Sequence, residues 1–450
     1  MTDLALAQAE KKMVEAGVAP GAIRVFSHYF HLLKSGDLGM INEADIEPFR
    51  NPTEAAALDF TEDAQRAAMR QTVLIRLNGG LGTSMGLAQA KTLIPVRDGK
   101  SFLEIIACQT MHARSRYHAP LPLLFMNSYR TDSDTLKCLS RFPDLPVEGL
   151  PLSILQSKEP RLDADSLEPI LVPESPEDEW CPPGHGDLYV SLESSGVLDL
   201  LIDRGFQFAQ VANGDNLGAT ADGDIAAWFA ASGSTFAMEV CTRTPNDRKG
   251  GHLARRREDG ALLLRESAQT ADADKAAFED ITIHEYFNTN TLWLNLPLLR
   301  EALAERDSIL GLPLIRNMKT VSLGEGRSQD VVQLETAMGS AIEVFEDATA
   351  ILVPRSRFLP VKTTNELLLL RSDLYEMGAG CTLKMTADTT PNVELAAKYY
   401  GRLDQFEKRV PISPSMRRAN SLRVEGDWYF VPGCAVEGDV LLGTEGGVFQ

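Results

Sequence analysis

The sequence has few basic residues and no long apolar run, and each shortage excludes a class of protein. Its 450 residues include 44 Lys and Arg against 63 Asp and Glu, which gives a formal net charge of −19. Nucleic acids and anionic membranes are bound through large basic surfaces, so neither is expected as a partner. No uncharged apolar stretch reaches the roughly 18 residues that a transmembrane helix needs, so no membrane span is expected.

Cysteine is also scarce and widely spaced. There is no CxxC pair and no spacing typical of a zinc site. The N-terminal segment lacks the basic start and the continuous apolar stretch of a secretory signal. We therefore expect a cytoplasmic protein with reduced, mostly buried thiols and no metal held by cysteine. The six cysteines are Cys108, Cys138, Cys181, Cys241, Cys381 and Cys434.

Three regions follow one another along the chain. Residues 1–70 carry apolar side chains at helical spacing, which predicts an N-terminal helical segment. In residues 71–375, short apolar runs alternate with longer amphipathic segments, which is typical of an α/β domain with a mostly parallel sheet. The predicted strands are 73–77, 121–126, 153–155, 208–212, 236–241, 291–296 and 351–353. The predicted helices are 102–117, 132–141, 187–203, 298–305 and 333–345.

The last region, residues 376–450, has apolar residues at a spacing of six. The quartet Val-Glu-Gly-Asp also occurs twice, at 424–427 and 436–439. Such spacing with turn-forming Gly and Asp is typical of a β-helix, here of two to three coils. A β-meander with coincidental spacing is the alternative. The spaced residues are Val424, Phe430, Val436 and Leu442.

A glycine-rich loop follows the first predicted strand of the α/β region. The strand ends at Leu77 and continues as Asn78-Gly79-Gly80-Leu81-Gly82. Adjacent glycines let successive N–H groups converge on an anion, and Lys91 adds a charge for a phosphate. The residue before Lys91 is not the Gly of a Walker A loop, and the glycine spacing GxGxxxG differs from the dinucleotide fingerprint GxGxxG. A kinase or a dehydrogenase is therefore disfavoured.

Polar residues also follow other predicted strands. Asn213-Gly214-Asp215 follows the strand 208–212, where a carboxylate is well placed for Mg²⁺, although this triplet is also common in turns. Gln156 follows the strand 153–155, and from its residue type alone it is interpreted as a surface polar residue whose amide can both donate and accept. In the turn 182–187, Gly184 and His185 precede a predicted helix whose free N–H groups suit a phosphate. Asp187 is interpreted as the N-cap of that helix.

Two further groups have both a functional and a structural interpretation. Asn288 and Asn290 alternate along a strand, which predicts that they share one face and suits the hydroxyls of a sugar. Glu335 can accept from another hydroxyl, although all three residues also suit hydrogen bonding at a sheet edge. A basic cluster, Arg355, Arg357 and Lys362, lies between an apolar strand and an apolar helix. Unused charge is costly there, so we predict that the cluster offsets phosphate charge.

The segment LNGGLGTSMG with its downstream lysine resembles the nucleotide-binding loop of the UDP-glucose pyrophosphorylase family. This resemblance implies a Rossmann-like nucleotidyltransferase α/β core with a mixed sheet, an N-terminal helical part and a short left-handed C-terminal β-helix. Seven further segments resemble the family in the same order. They are 125–135, 155–162, 182–189, 213–220, 287–294, 333–342 and 353–368.

The resemblance implies a reaction: a uridylyl group passes reversibly from UTP to α-D-glucose 1-phosphate, giving UDP-glucose and pyrophosphate, with Mg²⁺ as cofactor. A broad-specificity enzyme using galactose, xylose or glucuronate 1-phosphate is the first alternative. An N-acetylhexosamine enzyme is disfavoured by the LNGG loop. A catalytically silent nucleotide-sugar scaffold is disfavoured because Lys91, Asp215 and Lys362 are all present.

The resemblance also assigns roles to single residues. Lys362 is implied to be the catalytic lysine and Asp215 the Mg²⁺ ligand, while His185 and Lys362 orient the attacking phosphate and neutralise its charge. The residues implied to bind UTP are Leu77, Asn78, Gly79, Gly80, Lys91, Gln156, Gly184, Asp215 and Lys362. Those implied or predicted to bind the sugar phosphate are Gly79, Gly80, His185, Asn213, Gly214, Asp215, Asn288, Asn290 and Glu335.

The sequence departs from the family pattern in two places. Residues 87–90 read Leu-Ala-Gln-Ala, where eukaryotic members typically carry a Cys-x-Gly-Pro stretch. The C-terminal β-helix is also short. Because that module can mediate assembly in the family, homo-oligomerisation is left open.

Overall fold

A computed structural model describes residues 4–36, 39–324 and 327–450 of the chain. Within these ranges, every helix is too short or too polar to cross a membrane. The α-helices are α1 (Leu4–Glu15), α2 (Pro20–Ser35), α3 (Glu62–Arg70), α4 (Phe102–Tyr117), α5 (Asp132–Leu139), α6 (Leu188–Ser194), α7 (Val197–Asp203), α8 (Gly223–Ser232), α9 (Lys275–Glu279), α10 (Leu296–Glu305), α11 (Thr364–Arg371), α12 (Ala397–Tyr400) and α13 (Leu403–Arg409).

The strands of the described ranges form one large sheet and several small ones. They are β1 (Ile46–Pro48), β2 (Thr53–Glu54), β3 (Thr72–Asn78), β4 (Pro95–Arg97), β5 (Lys100–Ser101), β6 (Leu123–Asn127), β7 (Ser153–Leu155), β8 (Glu159–Pro160), β9 (Leu162–Asp163), β10 (Trp180–Cys181), β11 (Phe208–Asn213), β12 (Phe236–Thr242), β13 (His252–Arg256), β14 (Leu262–Arg265), β15 (Tyr286–Asn295), β16 (Ile315–Gly324), β17 (Arg327–Glu335), β18 (Thr349–Leu352), β19 (Tyr375–Met377), β20 (Leu383–Met385), β21 (Asn392–Leu395), β22 (Ser415–Val424), β23 (Trp428–Phe430), β24 (Ala435–Leu442) and β25 (Gly447–Phe449).

The large sheet is mixed. Its main order is β2-β18-β12-β15-β11-β3-β6-β7, with β1, β13 and β14 attached beside β15. Within the main order, β15 is antiparallel to β11 and β12, whereas the other neighbours pair parallel. Successive residues of β3 face opposite sides, and Leu74 packs into one apolar core while Val73 and Ile75 pack into the other. Helices therefore cover both faces, which confirms the predicted α/β class.

All seven predicted strands are observed, but two of the predicted helices are not continuous. The predicted helix 187–203 is broken at Gly196, which has a positive φ of 71° and separates α6 from α7. The predicted helix 333–345 is wrong. β17 continues to Glu335 because its apolar residues pair with β16 in a hairpin, and only a short 3₁₀ turn, Met338–Glu343, follows.

The first region is less purely helical than predicted. Helices α1, α2 and α3 are present, but the chain between α2 and α3 also forms two short strands. β1 pairs antiparallel with β13, and β2 pairs parallel with β18 at the edge of the large sheet. These strands tie the N-terminal region to the α/β core.

The C-terminal strands pair parallel. β22 lies between β21 and β24, and Val424 is the pairing partner of Leu442. Ser421 donates a hydrogen bond to Asp439, which is 18 residues further along the chain. Here β22 and β24 are therefore 18 residues apart in the sequence, three times the six-residue spacing of the apolar positions. The four residues predicted from their spacing, Val424, Phe430, Val436 and Leu442, are all buried. A β-meander pairs its strands antiparallel, so that alternative is wrong.

The cysteine prediction is wrong for one pair. Cys108 in α4 and Cys381 are joined by a disulfide, with their Cα atoms 5.9 Å apart and a sequence separation of 273. Their spacing gave no sign of this because the fold alone brings α4 to the turn Ala379–Cys381. The other four cysteines are unpaired, and three of them are buried. The cytoplasmic location stays a prediction.

Candidate active site

The predicted site residues meet at one edge of the large sheet. The carboxyl ends of β7, β6, β3, β11, β12 and β18 lie on this edge because these strands run parallel. The antiparallel strand β15 begins on the same edge. The glycine-rich loop after β3, Gln156 after β7, Asp215 after β11 and the segment after β18 are therefore neighbours.

Asn78 anchors the start of the glycine-rich loop. Its buried side chain donates to Oδ1 of Asn127 and Oγ1 of Thr135, both at 2.8 Å, and Oδ1 of Asn78 accepts from Oγ1 of Thr92 at 2.5 Å. Both amide hydrogens are used within the protein. Any contact of Asn78 with UTP would therefore be made by its backbone.

Three residues predicted to bind UTP come together around Gln156. Its Nε2 donates to the carbonyl oxygen of Gly184 at 2.6 Å. A Cβ atom added to Gly79 would lie 2.6 Å from Oε1 of Gln156. At Gly184, φ is +77° and an added Cβ would lie 2.5 Å from the carbonyl oxygen of Thr336. Only glycine fits position 184, and the three residues lie in contact with one another beside the loop.

Asp187 lies at the N-cap position of α6, as predicted, but its side chain makes no capping hydrogen bond. Its buried carboxylate instead accepts from the backbone N of Ser157 at 2.7 Å and from Oγ of Ser191 at 2.6 Å. Burial raises the pKa of this carboxyl to about 6, against the opposing effect of those two hydrogen bonds. Asp187 thus ties the residue after Gln156 to the first turns of α6.

His185 is held as a neutral imidazole. Its Nδ1 accepts a hydrogen bond from the backbone N of Met338 at 3.0 Å, so the ring proton lies on Nε2. Burial lowers the pKa of His185 to about 4. At neutral pH the ring therefore presents an uncharged N–H donor at Nε2, and its role toward the phosphate stays a prediction.

Lys91 and Asp215 form an ion pair at the centre of the edge. The Nζ of Lys91 lies 2.6 Å from Oδ2 of Asp215, and both side chains are largely buried. The preceding Gly214 donates its N–H to the carbonyl oxygen of Leu77 at 2.8 Å, which fixes the end of β11 against the end of β3. The nucleotide loop and the predicted metal ligand are therefore held in contact.

Asn288 and Asn290 lie side by side, as predicted, but through a bulge. The pairing of β12 with β15 shifts so that Glu239 lies opposite Thr291 and Val240 opposite Asn288. Asn290 has a positive φ of 55°, its backbone N donates to Oδ1 of Asn288, and its own Oδ1 accepts from Nδ2 of Asn288 at 3.0 Å.

Glu335 lies at the end of β17 beside Gly184. Its Oε1 accepts from Nδ2 of Asn317 at 2.7 Å, and an added Cβ on Gly184 would lie 3.1 Å from the Cβ of Glu335. The structure thus places this residue next to a glycine that the resemblance assigns to UTP.

The basic cluster divides into two paired residues and one unpaired residue. Arg355 forms a two-bond ion pair with Asp247, and the buried Arg357 forms one with Glu239 at 2.7 Å for both bonds. Lys362 is exposed and has no ion pair among the described residues. The prediction that all three offset phosphate charge is wrong for the two arginines.

The sequence analysis did not single out Glu266, which follows β14. Its carboxylate lies 2.5 Å from the position of an added Cβ on Gly251, whose carbonyl oxygen accepts from the backbone N of Asn288. Burial raises the pKa of Glu266, and the charge of Lys362 opposes that rise. The available signal was a carboxylate two residues after the apolar run Leu262–Leu264.

Comparisons with known proteins identify the family of the chain. A family model described as UTP–glucose-1-phosphate uridylyltransferase matches residues 23–436. The proteins of that name from Hordeum vulgare and Saccharomyces cerevisiae are 38% and 37% identical, over 95% and 87% of this chain and 89% and 78% of their own lengths. A crystal structure of a mutant UDP-glucose pyrophosphorylase from Leishmania major, in complex with UDP-glucose, matches with a TM-score of 0.92 and 39% identity. That match covers 100% of this chain and 98% of the other.

Proposed function

Because the chain belongs to the UTP–glucose-1-phosphate uridylyltransferase family, we propose that it converts UTP and α-D-glucose 1-phosphate reversibly into UDP-glucose and pyrophosphate. It is a nucleotidyltransferase, and its fold is the mixed α/β fold of the UDP-glucose pyrophosphorylases. The observation that supports the proposal most directly is the convergence of Gly79, Gln156 and Gly184 beside the Lys91–Asp215 ion pair. The residues proposed to contact the base of UTP therefore lie next to the ion pair proposed to bind its phosphates.

The reaction requires no covalent intermediate on the enzyme. A phosphate oxygen of glucose 1-phosphate attacks the α-phosphorus of UTP, and the bond to the leaving pyrophosphate breaks in line with it. Catalysis is then positioning and charge stabilisation. The loop from Leu77 to Gly80 and Lys91 hold UTP, His185 donates a neutral N–H to the sugar phosphate, and Lys362 supplies the positive charge.

Sugar recognition is assigned to the start of β15, next to the end of β11 that leads into Asp215. Asn288 and Asn290 are fixed by each other, so their remaining groups are oriented before a ligand arrives. Asn213, Gly214 and Glu335 complete the proposed contacts with the sugar phosphate. The resulting site faces a hydroxyl-rich ligand with amide and carboxylate groups, which suits a hexose.

The residues of the site suit a Mg²⁺ ion that is held by one protein carboxylate together with the phosphates of the substrate. Among the described residues, no group of three His, Cys, Asp or Glu side chains is placed to hold a metal ion. Asp215 is a single carboxylate, its Oδ2 is paired with Lys91, and its Oδ1 has no partner in the described part of the chain. Mg²⁺ commonly binds one carboxylate together with substrate phosphates and water. Asp215 would hold it, and the ion would neutralise phosphate charge.

The C-terminal region, we propose, is a short left-handed β-helix. The parallel pairing of β22 with β24 and the repeat of three six-residue steps support this. A crystal structure that gives the hand of the coil tests it, and a right-handed coil would contradict it.

The activity test measures pyrophosphate release from UTP with a panel of sugar 1-phosphates, with and without Mg²⁺. We expect release with glucose 1-phosphate that needs Mg²⁺. Equal rates with galactose 1-phosphate would favour the broad-specificity alternative. No release with any sugar would contradict the proposal and favour the silent scaffold.

Two variants test the assigned residues. Removing a contact that stabilises charge in the transition state costs on the order of 3 kcal/mol, about a hundredfold in rate. We therefore expect Lys362→Ala and Asp215→Ala to lower kcat at least a hundredfold while both variants stay folded. Lys319→Ala removes an exposed lysine on β16 and serves as the matched control. Near-normal turnover in either test variant would contradict that residue's role.

A further inference from the structure

Asn216 joins the loop that carries Asp215 to the segment that leads to Lys362. Its buried side chain donates from Nδ2 to the carbonyl oxygen of Arg357 at 3.1 Å and accepts at Oδ1 from the backbone N of Leu359 at 2.8 Å. The same Oδ1 accepts from the backbone N of Gly218 at 3.1 Å. One amide thus uses both of its polar ends to connect two loops that are distant in the sequence.

The backbones of the two loops are also in direct contact. Asn216 and Pro360 form an isolated antiparallel bridge. An added Cβ on Gly218 would lie 2.5 Å from the carbonyl oxygen of Ser356. No larger residue fits between the loops there, and their relative position is closely defined.

An ion pair holds the start of the segment that follows β18. Arg357 is held by both carboxylate oxygens of Glu239, and Glu239 also accepts from Nε1 of Trp293 at 3.0 Å. From residue 358 to residue 362, Asn216 supplies the only side-chain hydrogen bond to the segment within the described part of the chain. The last residues before Lys362 therefore depend on Asn216.

We propose that Asn216 is a positioning residue that sets Lys362 against Asp215. The side chain of Asn216 is buried and bonds three backbone partners, so the residue is not placed to bind a substrate. It acts through the two loops that it joins. The inference rests on the proposed roles of Asp215 and Lys362. A displacement of about 1 Å in a catalytic group can cost up to a hundredfold in rate.

The test compares kinetic constants and nucleotide binding. We expect Asn216→Ala to lower kcat about tenfold or more, whereas KM for UTP and the calorimetric affinity for UTP change less than twofold. Asn295→Ala is the matched control. Asn295 also accepts a hydrogen bond from a backbone N–H at Oδ1, but it is the last residue of β15 and lies at the end of that strand away from the site. That control is expected to leave kcat unchanged. Should Asn216→Ala fail to fold, Asn216→Ser keeps a small polar group too short to join both loops, and the same fall in kcat is expected.

A double variant separates this inference from the proposed function. If Asn216 acts by placing Lys362, adding Asn216→Ala to Lys362→Ala lowers kcat by less than a further twofold. Additive losses, or an unchanged kcat in folded Asn216→Ala and Asn216→Ser, would overturn the positioning role alone. Normal turnover in Lys362→Ala by itself would instead overturn the proposed function of that lysine.

Discussion

His185 shows how one hydrogen bond can fix both the tautomer and the charge of a side chain. A backbone N–H points at Nδ1, and that geometry is compatible only with an unprotonated nitrogen there. Protonation of the ring would place two donors face to face in a site partly removed from water. The residue is therefore a directional donor at Nε2, and positive charge in the site has to come from Lys91 and Lys362.

We predict that His185 titrates with a midpoint near pH 4. Because burial favours the neutral ring, its pKa is about 4 in the folded protein against 6.5 in the unfolded chain. The fold gains stability from the neutral ring above pH 6.5, and this gain is lost as the pH falls from 6.5 towards 4. NMR of labelled histidine, assigned with His185→Gln, measures the midpoint. A value near 6.5 would contradict the buried neutral state.

Asn78 is a second residue whose role could not be read from its motif alone. It stands in the nucleotide loop, and the resemblance implies a contact with UTP, but its side chain bonds Asn127, Thr135 and Thr92. An amide that satisfies three buried partners holds the loop in place. The residue type was predictable from the motif, whereas the division between backbone and side-chain roles required the partners from other elements.

The turn before α6 is an element shaped by close backbone approach. The backbone of Thr336 lies so close to Gly184 that no side chain would fit at position 184. The backbone N of Thr336 also donates a hydrogen bond to the carbonyl oxygen of Pro183. Because Gln156 donates to Gly184, any shift of this turn also moves the proposed uracil contact.

We predict that Gly184→Ala weakens UTP binding at least tenfold. The new methyl group would clash with the backbone of Thr336, and φ at +77° is strained for alanine, so the turn has to move. Gly196→Ala is the control: φ there is +71°, but an added Cβ has nothing within 4 Å. Calorimetric titration with UTP measures the affinity, and equal affinities for the two variants would show that the close approach does not matter.

The sequence predicted elements well where the signal was local. Apolar runs located all the strands that it named, and α4 begins at Phe102 as expected, where Ser101 and Glu104 form a capping box. It failed where pairing decides the structure. Nothing local indicates that residues 333–335 pair with β16, that a bulge brings Asn288 to Asn290, or that residues 46–54 join the sheet.

In the candidate site, too, features with a local signal were predictable and features that depend on distant pairing were not. Strand-end positions were predictable because parallel strands bring their carboxyl ends to one edge. The partners of charged residues were not, since Arg357 finds Glu239 only when the segment after β18 lies beside β12. Glu266 was missed for the same reason.

At the scale of the whole molecule, charge is distributed unequally. The net charge is −19, yet the substrates proposed here are anions. Arg355 and Arg357 are paired with carboxylates, so the lysines assigned to the phosphates are Lys362 and Lys91, the latter itself paired with Asp215, and backbone N–H groups and Mg²⁺ are proposed to support them. Few charges serve the phosphates, so each is expected to matter greatly for turnover.

The disulfide links parts of the chain that are far apart in sequence. Cys108 lies in α4 of the core, and Cys381 lies where the chain leaves the core for its C-terminal strands. Gln109 strengthens the same junction, because its Nε2 donates to the carbonyl oxygens of both Cys381 and Leu217. The C-terminal region is thus attached close to the loop that carries Asp215.

We predict that breaking this bond destabilises the whole protein. A cross-link between residues 273 apart restricts the unfolded chain strongly, and its loss costs on the order of 4 kcal/mol. Reductant should therefore lower Tm by roughly 5 °C. Cys108→Ser should lower Tm equally without reductant and show no further fall with it, whereas Cys138→Ser, which removes an unpaired cysteine, should respond to reductant like the parent protein. Thiol titration of the unfolded, unreduced protein should count four free thiols, and a count of six with an unchanged Tm would show that the bond does not form.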